Sequence, residues 1–227
     1  DFVAATKLGL KAIMCSHRFL LAPGEYENRS SGKAADLARI LWLSVPDKEL
    51  LAISAMDKLN GSTLESQINR MLQDEKTQRM IHSFSGQWLN LRSFDKVTPS
   101  LKLYPLYNDL LNHYLPLETE TYLNYLIQEN LPVGRLIDAD FSFLNQRLGQ
   151  HYGIEGVVGQ QIRKVSFGPE VPRGGLLTMG SVLKVTADGF KTSPIRRGAW
   201  ISKNIVGNTL SPPPENIEPI EPVQGNA

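Results

Sequence analysis

Leu64, Ile68, Met71 and Leu72 recur at i, i+4, i+7 and i+8, the spacing of one buried face on a helix of 3.6 residues per turn. Ser62-x-x-Glu65 stands directly before that run as a capping box, in which hydroxyl and carboxylate each satisfy a backbone N–H at the helix start. The same period returns along the first 150 residues, each stretch closed by a proline, a glycine or a short polar break. It predicts a helix from Phe2 to about Leu21, with its apolar face through Leu10, Ile13 and Met14, stopped at Pro23-Gly24. A second helix spans Ala34 to Leu43. A third carries Leu50, Leu51, Ile53 and Met56, with Pro46 in its first turn, where a missing N–H costs nothing. Glu75 to Leu91 continues helically, and a long helix is expected from Pro105 to about Glu129, kinked at Pro116. Short helices over Val133–Ile137 and Ser142–Gln150 complete the set.

From Gly153 the texture changes. Glycine and valine become frequent, and Gln161–Phe167 alternates as a short strand would. Gly175–Thr186 has an ambiguous period and reads as helix. Thr192-Ser193-Pro194 looks like a helix start, hydroxyl caps before a first-turn proline, for a helix over Ile195–Val206 ended by Gly207. Pro212-Pro213-Pro214 opens a polyproline II segment. The expected fold class is mainly α. A helical domain (1–153) is followed by a small, basic, mixed but mostly helical unit packed on it (154–210), and a Pro/Glu-rich linker or tail (211–227) closes the chain.

Charge supports that division. Phe141–Leu210 holds nine Lys or Arg against three acids, while the first 140 residues hold 15 basic and 17 acidic side chains. With a net charge of +1 there is no global field that would draw nucleic acid. No apolar run approaches the length of a membrane span. The single Cys15 excludes an internal disulfide and any Cys-x-x-Cys pair, haem attachment included. The chain opens at Asp1 inside a helical pattern and closes in a Pro/Glu-rich stretch, so a fragment or matured chain is expected.

No complete catalytic or metal motif is present. His17, His82, His113 and His151 are scattered without ligand spacing. Glu118 and Glu120, two apart on a helix, point to different faces and read as solvated surface charges. Asp138-Ala-Asp140 lacks the other ligand positions and the glycine of a calcium loop, and a helix cap at Asp140 or Ser142 explains it better. Met179-Gly180-Ser181 has no nucleophile-elbow context. Trp42, Trp88 and Trp200 occupy apolar helical positions, which points to core packing.

One cluster remains. Arg173-Gly174-Gly175, Lys191-Thr192-Ser193-Pro194 and Arg196-Arg197-Gly198-x-Trp200 gather cations and backbone N–H groups near one helix start. Free N–H groups and the helix dipole both favour negative charge there. Arg173, Gly174, Gly175, Lys191, Thr192, Ser193, Arg196 and Arg197 are the candidates for binding an anion, such as a carboxylate or a haem propionate. The competing reading has the arginines paired with acids of the helical half and the glycines serving tight turns.

The run RGGLLTMGSVLKVTADGFKTSPIRRGAWISKNIVGNTLSPPPENI (Arg173–Ile217) resembles a domain of unknown function abundant in Planctomycetes and Verrucomicrobia, with its Arg-Gly-Gly-Leu-Leu, Thr-Ser-Pro, Arg-Gly-x-Trp and polyproline tail. LARILWLSVPDKELL, SGQWLNL and DADFSFLNQRLGQHYGI resemble its usual helical neighbour, also of unknown function. Proteins with this pair are typically large and exported and carry c-type haem segments. The resemblance therefore implies a non-haem module of an exported c-type cytochrome protein, periplasmic or extracellular, supporting electron transfer or haem-domain docking. It implies no cofactor within this chain, with haem c in flanking or partner segments, and other domains of the parent protein as partners. It carries over no catalytic residue. The residues alone leave open an enzyme domain acting on an acidic or sugar-like substrate, and a purely structural interaction module.

Overall fold

The computed structural model describes residues 1–16 and 29–208. His17, the end of the first expected helix and the polyproline tail lie outside the described residues. The fold is mainly helical. Helices α1 (Phe2–Met14), α2 (Arg29–Trp42), α3 (Lys48–Ala55), α4 (Gly61–Leu72) and α5 (Thr77–Trp88) come first, then a 3-10 turn (Leu91–Lys96) and the long α6 (Asp109–Gln128). Another 3-10 turn (Val133–Leu136) precedes strand β1 (Phe141–Leu144), α7 (Gln146–Tyr152), β2 (Arg163–Ser166), a 3-10 turn (Leu176–Thr178), α8 (Gly180–Val185) and α9 (Pro194–Asn204). None of the described helices is long and apolar enough to cross a membrane.

By internal contacts the chain forms two compact units, each built from separate stretches: residues 1–84 with 120–136, and residues 85–119 with 137–227. In the first, Ala34, Ala38 and Trp42 of α2 pack with Leu50, Leu59 and Met71. Small alanines on one face of α2 let its neighbours approach closely. Trp42 is fully buried, its indole N–H donates to the Met71 carbonyl at 2.9 Å, and the Thr77 hydroxyl donates to the same oxygen at 2.6 Å. The Lys76 amine lies 4.1 Å from the Trp42 ring centre, so this tryptophan is a core residue with a cation on its face. Asp47 caps α3, accepting from Leu50 N–H, and Arg70 donates to its other oxygen at 2.8 Å. The helix thus starts after Pro46 rather than with it.

The capping box at Ser62 does not form. The helix already begins at Gly61, and Asn60 in the cap position makes no side-chain bond to it, its amide donating instead to the Asp57 carbonyl. Helix α1 is capped by Asp1, yet Phe2, Leu8, Leu10, Ile13 and Met14 are all exposed. No described residue covers its apolar face.

The core of the second unit gathers Phe94, Leu111, Leu115, Leu144, Leu148 and Val157. Strands β1 and β2 pair antiparallel, Phe141 opposite Ser166 and Leu144 opposite Arg163. All four residues of β1 are buried, whereas three of the four residues of β2 are exposed. The Ser142–Gln150 stretch read as helix therefore begins as strand. The helix cap falls to Asn145, which accepts from Leu148 N–H at 3.0 Å. The Gly175–Thr186 stretch is helical in two short pieces. α9 starts where Thr-Ser-Pro signals it, Ser193 accepting from Arg196 N–H with Pro194 in the first turn.

Candidate functional site

Leu111, Leu115 and Glu118 stand at i, i+4 and i+7 on α6, so the carboxyl shares a face with the two core leucines. Glu118 is 1% exposed. This corrects the reading of Glu118 as a surface charge: the two glutamates do face apart, but one of the two faces is the core. Glu120 keeps a partly exposed carboxylate bonded to the His82 ring at 2.8 Å.

Three elements converge on Glu118. The Ser142 hydroxyl, pointing from β1, donates to one carboxyl oxygen at 2.6 Å. The Tyr152 hydroxyl, at the end of α7, donates to the other and accepts from the Gly180 N–H at 2.9 Å. A β-carbon at Gly180 would lie 2.4 Å from a Leu115 methyl and 2.9 Å from the tyrosine oxygen, so glycine is what lets the start of α8 reach the phenol. Burial pushes the Glu118 carboxyl up to about 7, against the opposing pull of Ser142, Tyr152 and the Arg173 charge. Burial, then the neighbouring Glu118 charge, hold the Tyr152 phenol well above its ordinary range. Burial, then Arg147 and Arg173, pull His151 down, which favours its neutral form.

Tyr152 forms part of the wall of a cavity of about 620 Å³ that lies wholly within the second unit. Its walls are largely apolar and aromatic, with Tyr104 and Tyr107 from the loop before α6, Leu111 and Leu115 from α6, and Leu183 from α8. Three cations also line it: Arg173, Lys184 and Arg197. The Arg173 guanidinium stacks 3.5 Å from the Tyr152 ring centre and donates to the Thr178 carbonyl at 2.6 Å. The Lys184 amine donates to Asn112 at 2.7 Å and sits 3.6 Å from the Phe94 ring centre. Burial pulls that amine down to about 8, opposed by the charge of Asp95. Among the described residues the Arg197 side chain reaches the Thr186 hydroxyl, at 3.4 Å. None of the three forms an ion pair with a described acid.

The candidate cluster is thus divided by the fold. Arg173, Thr192 and Arg197 face the cavity. Gly174 and Gly175 build the turn that aims Arg173. The Gly174 N–H donates to the Thr178 hydroxyl, which donates on to the Gly175 carbonyl. A β-carbon at Gly174 would fall 1.6 Å from the Ala139 carbonyl oxygen. Ser193 is occupied as a helix cap. Lys191 and Arg196 are exposed beside Asp188, whose carboxylate accepts from the Phe190 and Lys191 N–H groups and is lowered by those bonds. Sequence reasoning missed Glu118, Ser142, Tyr152 and Lys184. For Glu118 a signal existed, its register with Leu111 and Leu115. Among the described residues no group of three or more His, Cys, Asp or Glu is placed to hold a metal ion. Trp88 and Trp200 anchor α9, their indole N–H groups donating to the Asn204 and Leu89 carbonyls.

No curated protein and no solved structure matches this chain. Residues 173–227 match the family described as PSCyt3, a protein of unknown function (DUF1588), and residues 30–154 match PSD4, a protein of unknown function (DUF1592). The two stand in tandem, the cytochrome-c-associated pairing that the motifs resemble. The chain belongs to the DUF1592 family and carries a DUF1588 segment behind it.

Proposed function

We propose that this chain is a non-haem module of an exported, multidomain c-type cytochrome protein, where it supports electron transfer or the docking of haem-bearing domains. The tandem family match carries the reading. The lone Cys15 agrees with it, because one thiol cannot supply the two thioether links of haem c, so the haem belongs to other segments. The purely structural alternative requires arginines paired to acids and no cavity. Arg173 and Arg197 instead line a cavity, and neither forms an ion pair with a described acid. The test is covalent-haem peptide mapping and pyridine haemochrome absorption on the full-length parent, with fractionation of the producing cells. Haem peptides outside residues 1–227, in the periplasmic or secreted fraction, are expected. A parent without any Cys-x-x-Cys-His segment overturns the reading.

A second reading, an enzyme acting on an acidic or sugar-like substrate, is favoured by one observation. A buried carboxyl poised near neutrality is hydrogen-bonded to a tyrosine on the wall of a cationic cavity. Tyr152→Phe and Arg173→Gln would then abolish turnover in protein that circular dichroism shows to be folded. Turnover indifferent to both variants removes it.

A further inference from the structure

We infer that the cavity of the second unit is a binding site for an amphipathic carboxylate, a compound with one anionic head on an alkyl or aryl body. The inference rests on the cavity alone and stands whether or not haem segments flank the chain. Its volume of about 620 Å³ is that of a small-molecule site, and such sites combine apolar walls with a few placed polar groups.

The walls select the body. Tyr104, Tyr107, Leu111, Leu115 and Leu183 come from three parts of the chain and present rings and branched methyls to one space. The rim continues apolar, with Leu103 55% exposed and Leu106 76% exposed. Exposed leucines of this kind are covered when an apolar ligand enters.

The cations select the head. Arg173 is pre-positioned by its stack on Tyr152 and its bond to the Thr178 carbonyl, and neither contact neutralises it. Among the described residues Arg197 likewise meets a hydroxyl and no acid. A planar guanidinium with unused N–H groups matches a carboxylate fork better than a bare charge does. The acids near this wall are few. Glu118 is walled off behind Tyr152, and Asp95 is engaged by the Asn112 amide near Lys184. Asp188 serves the exposed turn at Phe190 and Lys191. Apolar walls lower the local dielectric, so a carboxylate meeting Arg173 there gains more than it would in water.

Isothermal titration of the 227-residue chain with decanoate, decanol and acetate at pH 7 tests this. Decanoate should bind saturably and at least about tenfold more tightly than decanol, with acetate weaker still. Arg173→Gln and Arg197→Gln should bring decanoate down to the level of the alcohol. Arg196→Gln, on the exposed side, should change nothing. Because Arg173 also supports the Tyr152 ring, Leu103→Asp serves as a second variant at an exposed rim position and should weaken both long-chain probes while the melting temperature holds. Equal binding of decanoate and decanol would show an apolar groove without a head-group site. Equal binding of acetate and decanoate would show a bare anion site. Either result, or no saturable binding, overturns the inference.

Discussion

At the scale of single residues, Glu118 is the most consequential group. In the unfolded chain its carboxyl titrates near the ordinary 4.5, and in the fold burial raises it to about 7. Between those values the folded state keeps a proton that the unfolded state gives up. The contribution of this group to stability is therefore greatest below pH 4.5, falls as pH rises through 7, and then levels, a loss on the order of 3 kcal/mol. Glu118→Gln keeps a neutral partner for Ser142 and Tyr152 and should flatten that slope in thermal melts between pH 5 and 8. Parallel slopes for wild type and variant would show that the carboxyl does not titrate in the fold. Gly174 is the second such residue. Its substitution by alanine drives a methyl into the Ala139 carbonyl, a backbone atom that cannot rotate aside, and should cost about 3 kcal/mol in urea melts. The need for glycine in Arg173-Gly174-Gly175 was legible in the sequence. What it accommodates was not, because Ala139 lies 35 residues away.

At the scale of elements, local signals were read well and non-local ones poorly. The start of α9 is written entirely in Thr192-Ser193-Pro194, and the fold uses it as written. The start of α7 was placed too early. Phe141–Leu144 is drawn into strand by pairing with Arg163–Ser166, a partner some 20 residues downstream that no window around Ser142 contains. The capping box at Ser62 failed for a related reason, since Gly61 lets the helix begin two residues sooner, with Asn60 in the cap position. The caps at Ser193 and Asn145 should differ in strength. Ser193 is partly exposed and makes one bond, so Ser193→Ala should cost about 1 kcal/mol. Asn145 is 1% exposed, caps Leu148 and also donates to the Gln160 carbonyl. Asn145→Ala leaves buried groups unpaired and should cost about 2 kcal/mol or more. Chemical denaturation of both variants checks the order, and a larger loss at Ser193 would contradict it.

At the scale of the whole molecule, the compact units ignore chain order. The second draws on residues 85–119 as well as 137–208, and α6 gives its first half to one unit and its second to the other. The fold class was legible because helical periodicity is local. The composition of the units was not, because periodicity reports which face is buried without saying against what. A consequence follows for fragments. Residues 1–154 alone contain Phe94, Leu111, Leu115 and Leu148 but lack α8 and α9, which complete that unit. Expressed by itself, this piece should keep helical far-ultraviolet dichroism, bind a hydrophobic dye such as anilinonaphthalene sulfonate and melt without a sharp transition. Adding residues 155–227 in trans should suppress the dye signal. A cooperative, dye-silent fragment would show that the unit does not need its second part.

The division of the cavity has a consequence for inheritance. Most of its apolar wall and Tyr152 lie in the DUF1592 segment, and Leu183, Arg173, Lys184 and Arg197 lie in the DUF1588 segment. A recombination event that moved either segment into another gene would deliver a half-lined hollow and a half-covered core. Descendants that kept both, in order and at this spacing, would retain the site. A side chain gained at Gly180 in one segment would have to be answered by a smaller residue at Leu115 in the other, since a Leu115 methyl occupies the space it would need. If the cavity binds as inferred, selection on it acts on both segments at once.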